Sequence, residues 1–152
     1  VLMIHNKKDC FDAKREEKFG VTHCYIKHKD EEQIIQLMQA WRVDLIVLAG
    51  YMRVISPEFV KAFPNRIINL HPSLLPKYKG LHAIEQALES GDKETGCTVH
   101  YVNDKLDGGK VITQKSFYLV SNSSELDLKK KTQKLEYLAY PEAIVKIFRS
   151  NF

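Results

Sequence analysis

Short, nearly unbroken apolar runs alternate with longer polar stretches of helical periodicity along most of this chain. VLMIH (1–5) reads as a buried strand. DCFDAKREEKFG (9–20) follows with helix-forming residues and Gly20 placed as a C-cap. VTHCYI (21–26) is a second strand candidate. In KDEEQIIQLMQAWR (29–42), Asp30 stands at the N-cap with Gln33 three residues on, a capping-box pattern. Ile34, Met38 and Trp41 then recur at helical spacing. DLIVLAG (44–50) is a continuous apolar run closed by Gly50, the pattern of a strand covered on both faces. SPEFVKAF (56–63) offers Ser56 as N-cap and Pro57 at the first helical position. RIINLH (66–71) is the next strand, and HAIEQALESG (82–91) a helix closed by Gly91.

Strand and helix therefore alternate four times. That order predicts an α/β fold, a mostly parallel sheet with right-handed crossovers. The last third differs. GCTVHYV (96–102) and KVITQKSFYL (110–119) are two strands with no room for a helix between them, so a late antiparallel addition is expected. A helix from Glu125 to Phe148, interrupted by Pro141, ends the pattern. No repeat, low-complexity tract or linker breaks residues 1–152, which read as a single domain.

Composition narrows the classes. The chain has 152 residues, enough to bury a core, with 44% hydrophobic and 28% charged content in the range of soluble globular domains. No apolar run approaches the roughly 20 residues that span a bilayer, and the first residues lack a secretory signal pattern. Val1 is not a start Met, and the chain opens on a strand already under way, so residues are expected upstream. Cys10, Cys24 and Cys97 are isolated, which argues against a disulfide framework or a zinc site and for reduced thiols in the cytoplasm. A formal charge of +4 suits a small anionic substrate and is too weak to argue for nucleic acid. LKKKTQK (128–134) is the densest basic cluster, and a solvated helix face accounts for it.

Chemistry concentrates at the end of the fourth strand. In an open parallel sheet, ligands bind beyond the carboxyl ends of the strands. Asn69 and His71 stand two apart there and project to one face, while Leu70 points to the other. Pro72 and Pro76 stiffen the exit, and Gly80 permits an unusual backbone angle. A strand-end histidine is more often structural than catalytic. Asp107, in LDGG between the two late strands, is first of all a turn residue. If it reaches His71, it favours the imidazolium over the reference pKa of roughly 6.5. His23 and His28 are too isolated to suggest a metal, and His100 on its strand fits the core as well as a site. AGYMRVIS (49–56) is a second carboxyl-edge loop whose backbone is able to grip a flat heterocycle. G-x-G-x-x-G, P-loop and G-x-S-x-G motifs are absent from the chain.

LAGYMRVISPEFV, INLHPSLLPKYKGLHAIEQALESGDKETGCTVHYV, LDGGKVITQ and EYLAYP together resemble the glycinamide ribonucleotide formyltransferases. The similarity runs from about Val1 to Phe148 and is strongest from Asp44 onward. It implies a Rossmann-like formyltransferase fold and formyl transfer from 10-formyltetrahydrofolate, without a metal, to the amine of glycinamide ribonucleotide. The family's catalytic Asn, His and Asp match Asn69, His71 and Asp107. Its folate-binding positions match Tyr51, Met52, Arg53, Val54, Ile55, Ile67, Asp104, Lys105, Leu106 and Gly108. Its substrate-side positions match His100, Gln133 and Glu136. The resemblance further implies a cytoplasmic monomer or homodimer that binds neither nucleic acid nor membrane.

The family opens with a strand and a G-x-G-S-N loop that binds the substrate phosphate at a helix N-terminus. VLMIHN corresponds to the family's second strand, so the resemblance implies residues missing before Val1 and a few after Phe152. Lys79 stands where the family often has Pro. Two relatives share the chemistry. Methionyl-tRNA formyltransferase resembles the chain at SLLP and the later Asp, but continues as RGAAP where this chain has KGLHA. Formyltetrahydrofolate deformylase, with water as acceptor, tends to have HHSFLP in place of HPSLLP. A folate- or nucleotide-binding module on the same fold is the alternative outside enzymes; the full Asn, His and Asp set argues against it.

Overall fold

The computed structural model describes residues 1–6, 18–27, 30–51, 53–120 and 122–150. The helix expected over 9–20 falls mostly outside them, as do Met52, Cys10 and His28. The chain divides into two compact units, Val1–Asp44 and Leu45–Phe152.

In the first unit, β1 (Leu2–His5) and β2 (Thr22–Tyr25) pair in parallel, with Leu2 opposite Thr22 and His5 opposite Tyr25. Gly20, at φ 66°, makes the left-handed turn into β2 that its C-cap reading requires. α1 (Glu31–Ala40) starts where expected: the Asp30 carboxylate accepts the Gln33 amide at 3.1 Å. Ile34 is its buried residue, whereas Trp41, the third position of the expected apolar stripe, is 46% exposed at the C-cap.

The second unit is built on a four-stranded sheet in the order β3 (Ile46–Leu48), β4 (Ile67–His71), β5 (Glu94–Tyr101), β6 (Val111–Tyr118). β3 and β4 run parallel; β5 and β6 are added antiparallel, as the missing crossover helix demanded. α2 (Pro57–Ala62) links β3 to β4, with Ser56 Oγ accepting the Phe59 amide at 3.1 Å. α3 (Ala83–Glu89) links β4 to β5. α4 (Glu125–Ser150) is one helix through Pro141.

The period of two along β4 sorts its side chains. Ile68 and Leu70 face α4 and pack with Cys97, Val99, Ala139, Ala143 and Ile147 into the core. Small alanines on α4 let the helix lie close to the sheet. Tyr140 closes this face by donating its hydroxyl to the Leu48 carbonyl. Asn69 and His71 are left for the opposite face. One expectation does not hold: β3 is not covered on both faces, because Val47 is 42% exposed while Ile46 is buried. Among the described residues β3 has a single sheet partner, so an apolar run alone overstated its burial.

Candidate active site

Asn69 and His71 end β4, and the hairpin of β5 and β6 brings Asp107 to them. The antiparallel register sets Asn69 opposite His100 and His71 opposite Thr98. Residues directly opposite share a face, so Asn69, His71 and His100 form one polar patch. The loop after β5 then carries Asp107 back over it. Oδ2 of Asp107 lies 3.4 Å from Nδ1 of His71, and Oδ1 lies 3.6 Å from Nε2 of His100. His71 and His100 are both buried.

Backbone groups complete the arrangement. His71 Nε2 donates to the Tyr78 carbonyl at 2.7 Å. The Gly80 amide donates to Asp107 Oδ2 at 2.8 Å. A carbonyl only accepts, so the Tyr78 contact places a hydrogen on Nε2 of His71. Nδ1, facing the carboxylate at the longer distance, is the ring nitrogen more loosely held. Tyr78 and Gly80 both take left-handed backbone, at φ 53° and 79°, and Asp107 does so at 46°. The glycine at 80 supplies the angle its sequence position promised.

Beneath this loop lies a closed polar network. Thr98 Oγ1 donates to the Ser73 carbonyl at 2.7 Å and accepts the Leu75 amide at 3.1 Å. Gln114 Nε2 donates to the Leu75 carbonyl and to Thr98 Oγ1, each at 2.8 Å. Ser73 Oγ donates to the Lys77 carbonyl at 2.5 Å. The segment 73–77, with its cis Leu75–Pro76 bond, is thus tied to β5 and β6 without any helix or strand of its own.

His100 has one settled nitrogen. Its Nδ1 donates to the Tyr101 carbonyl at 2.8 Å, while Nε2 has no hydrogen-bond partner. Burial pushes the His100 pKa down; the Tyr101 carbonyl and Asp107 oppose that, and His71 and Lys79 add to it. The neutral ring leaves a lone pair on Nε2, directed toward the carboxylate.

A cleft of about 80 Å³ opens beside this patch. Tyr51, Arg53, Val54, Ile55, Asp104, Lys105 and Leu106 line it with Asn69, His100 and Asp107. The two segments matched to folate binding therefore face one cleft, and it is the one that holds the Asn and the Asp. Leu48, Val102 and Asn103 also line it and were not anticipated; they flank expected positions on the strand ends. Met52 lies outside the described residues. Ile67 is fully buried and absent from the lining, and Gly108, which donates its amide to the Lys105 carbonyl at 3.0 Å, shapes the loop from behind. Gln133 and Glu136 lie on α4, outside the lining. Glu136 is partly buried, which pushes its carboxyl pKa up.

Tyr78 and Gly80 are the site residues that residue types did not reveal. They act through a carbonyl and an amide, and Gly80 alone left a trace in the sequence. In the basic cluster, Lys130, Lys131 and Lys134 are exposed, and Lys131 Nζ sits 5.8 Å from the Phe117 ring centroid. Among the described residues, no group of three or more His, Cys, Asp or Glu is placed to hold a metal, and no helix is long and apolar enough to cross a membrane.

Comparison with known proteins gives consistent matches. A family model described as formyl transferase matches residues 1–144. The chain is 42% identical over 149 residues to phosphoribosylglycinamide formyltransferase of Escherichia coli, covering 93% of this chain and 70% of that protein. It is also 42% identical over 151 residues to the trifunctional purine biosynthetic protein adenosine-3 of Drosophila melanogaster, covering 95% of this chain but only 11% of that much longer protein. The crystal structure of phosphoribosylglycinamide formyltransferase from Anaplasma phagocytophilum superposes with a TM-score of 0.92 at 34% identity, covering 99% of this chain and 74% of that one. The Rossmann-like formyltransferase fold, with parallel and mixed sheets, is thereby shared.

Proposed function

This chain belongs to the formyl transferase family, and we propose that it transfers a formyl group from 10-formyltetrahydrofolate to the amine of glycinamide ribonucleotide in purine biosynthesis. The observation that carries this reading is the convergence of Asn69, His71 and Asp107, with the first and last of them in the cleft lined by Tyr51, Arg53, Val54, Ile55 and residues 102–107. The match to the Escherichia coli enzyme of that name supports it.

The residues suit the chemistry. In the reaction the amine nitrogen bonds to the formyl carbon, negative charge gathers on the formyl oxygen, and the bond from that carbon to the folate nitrogen breaks. Asn69 donates its amide to the charged oxygen, and such preorganised donors supply the largest share of catalysis in acyl transfer. His71, its Nε2–H already committed to the Tyr78 carbonyl, presents Nδ1–H and positive charge to the same oxygen. Asp107 stabilises that charge and takes the proton that leaves the amine, directly or through one water, returning it to the departing folate nitrogen.

The cleft fits a flat, polar heterocycle. Leu48, Val54, Ile55, Val102 and Leu106 give it apolar walls, and the unpartnered Nε2 of His100 offers an acceptor inside. Its present volume of about 80 Å³ is below the roughly 300 Å³ at which ligand pockets usually begin. A pterin therefore needs Arg53, Val54 and Ile55 to move apart from residues 102–107. Gln133 and Glu136 take the ribose of the ribonucleotide, and residues 1–152 belong to one formyltransferase domain, in the cytoplasm, as monomer or homodimer.

The test is spectrophotometric: loss of the formyl group from 10-formyltetrahydrofolate, with and without glycinamide ribonucleotide. Turnover that requires the ribonucleotide supports the transferase. Turnover without it transfers the assignment to a deformylase with water as acceptor. No turnover under either condition sinks the reading for this chain.

A further inference from the structure

Tyr78 is held at both ends. Its carbonyl takes His71 Nε2–H at 2.7 Å, and its hydroxyl donates to Asp92 Oδ2 at 2.6 Å. The same carboxylate oxygen accepts Lys77 Nζ at 2.7 Å. Asp92 lies in the turn between α3 and β5 and is not among the residues that line the cleft. Tyr78 itself stands at φ 53°, a conformation a non-glycine side chain keeps only when its surroundings impose it. With Lys rather than Pro at 79, residue 78 escapes the extended bias a following proline would impose. That backbone angle is what directs the carbonyl inward.

We infer that Asp92 is a positioning residue for His71, acting through the Tyr78 hydroxyl to fix the carbonyl that holds Nε2. The consequence is a choice of working nitrogen: with Nε2–H tied down, Nδ1 is the one that meets Asp107 and the substrate. The inference rests on the formyl transfer reading only for its effect on rate. The strap has a second foot, because Gly80 two residues on donates to Asp107 Oδ2. The groups facing His71 are then the Asp107 carboxylate at Nδ1 and the Tyr78 carbonyl at Nε2, with the His100 ring nearby. Asp92 stays anionic at neutral pH, since the bonds from Lys77 and then Tyr78 hold its carboxyl below the usual range.

The test is proton NMR of the full ¹⁵N-labelled chain, following the ring Nε2–H of His71, assigned by its loss in His71→Asn. A buried imidazole N–H on a carbonyl exchanges slowly and is visible. The resonance is expected in the native protein and in Lys77→Ala, and lost in Tyr78→Phe and Asp92→Ala. Asp92→Glu, which keeps the carboxylate, is expected to recover it in part. In the formyl transfer assay, kcat should fall on the order of 10-fold in Tyr78→Phe with KM for folate little changed, as displacement of a positioned group predicts. The inference is overturned if both variants keep the resonance and kcat while only their melting temperatures fall. It is equally overturned if the native protein shows no such resonance. If Tyr78→Phe does not fold, Asp92→Ala decides alone. A native chain that transfers no formyl group, but whose resonance follows this pattern, keeps the strap and discards the function.

Discussion

Nε2 of His100 faces Oδ1 of Asp107 across 3.6 Å, and no hydrogen bond bridges the gap. A neutral ring there puts a lone pair against a carboxylate; a charged ring would have to be buried. Burial dominates, and the His100 pKa is depressed. The unfolded chain therefore takes up this proton first as pH falls. Stability is full above the ordinary imidazole value of about 6.5 and declines as pH drops through it toward the folded value. His100→Gln removes that titration. Urea midpoints at pH 7.5 and 5.5 should converge in the variant relative to the native chain; an equal acid loss in both would assign the effect elsewhere.

Asp107→Asn keeps the shape of the loop and removes the charge opposite His71. The formyl transfer rate should fall on the order of 100-fold, the usual worth of a positioned acid–base group. The acid limb of the pH–rate profile should move with it. An unchanged profile would take Asp107 out of the proton path.

Asn69→Ala deletes the amide that meets the oxygen gathering charge. Loss of one such donor costs roughly 100- to 1,000-fold in kcat. Folate binding, measured by fluorescence quenching, should hardly change, because the residue is needed most when charge develops. A variant that loses affinity and keeps kcat would make Asn69 a binding residue.

Gly109 closes the loop that carries Asp107. A Cβ at this position would fall on the Tyr101 carbonyl, backbone that has no rotamer to yield. Gly109→Ala should cost about 1–3 kcal/mol in urea unfolding through overpacking. It should also slow formyl transfer, since Asp107 is two residues away. Native stability in this variant would show that the hairpin end gives way freely.

Glu142 on α4 accepts Lys115 Nζ at 2.6 Å, Lys146 Nζ at 2.8 Å and Thr113 Oγ1 at 2.8 Å. Lys115, then Lys146 and Thr113, lower its pKa to about 2. A lowered carboxylate stabilises the fold above its unfolded pKa of about 4.5 and loses that contribution as pH falls toward 2. The group is exposed, so the effect is modest and screened by salt. Glu142→Gln should flatten the melting temperature between pH 5 and 2.5. A curve parallel to that of the native chain would show the cluster adds nothing.

Much of this fold is written locally. Asp30 and Ser56 with Pro57 announce helix starts because capping is satisfied within a few residues. Asn69 and His71 are legible as a pair because a strand alternates. Trp41 and Val47 mislead because an apolar side chain does not state whether a neighbour covers it. Asp107 reads as a turn until β5 pairs with β4, a long-range event that carries its loop across His71. Tyr78 and Gly80 are harder still: every residue but proline owns an amide and every residue a carbonyl, so the sequence does not mark which of them will point at a histidine.

The Ser73, Thr98 and Gln114 network has a consequence for how this site tolerates change. The loop over it keeps its shape through bonds made inward, to main-chain atoms, from side chains on neighbouring strands. Its outward residues, such as Lys79, carry little of that shape. Engineering the rim to accept a different substrate can begin there, with the inner three and the Tyr78–Asp92 pair left alone, so that the histidine beneath stays where it is.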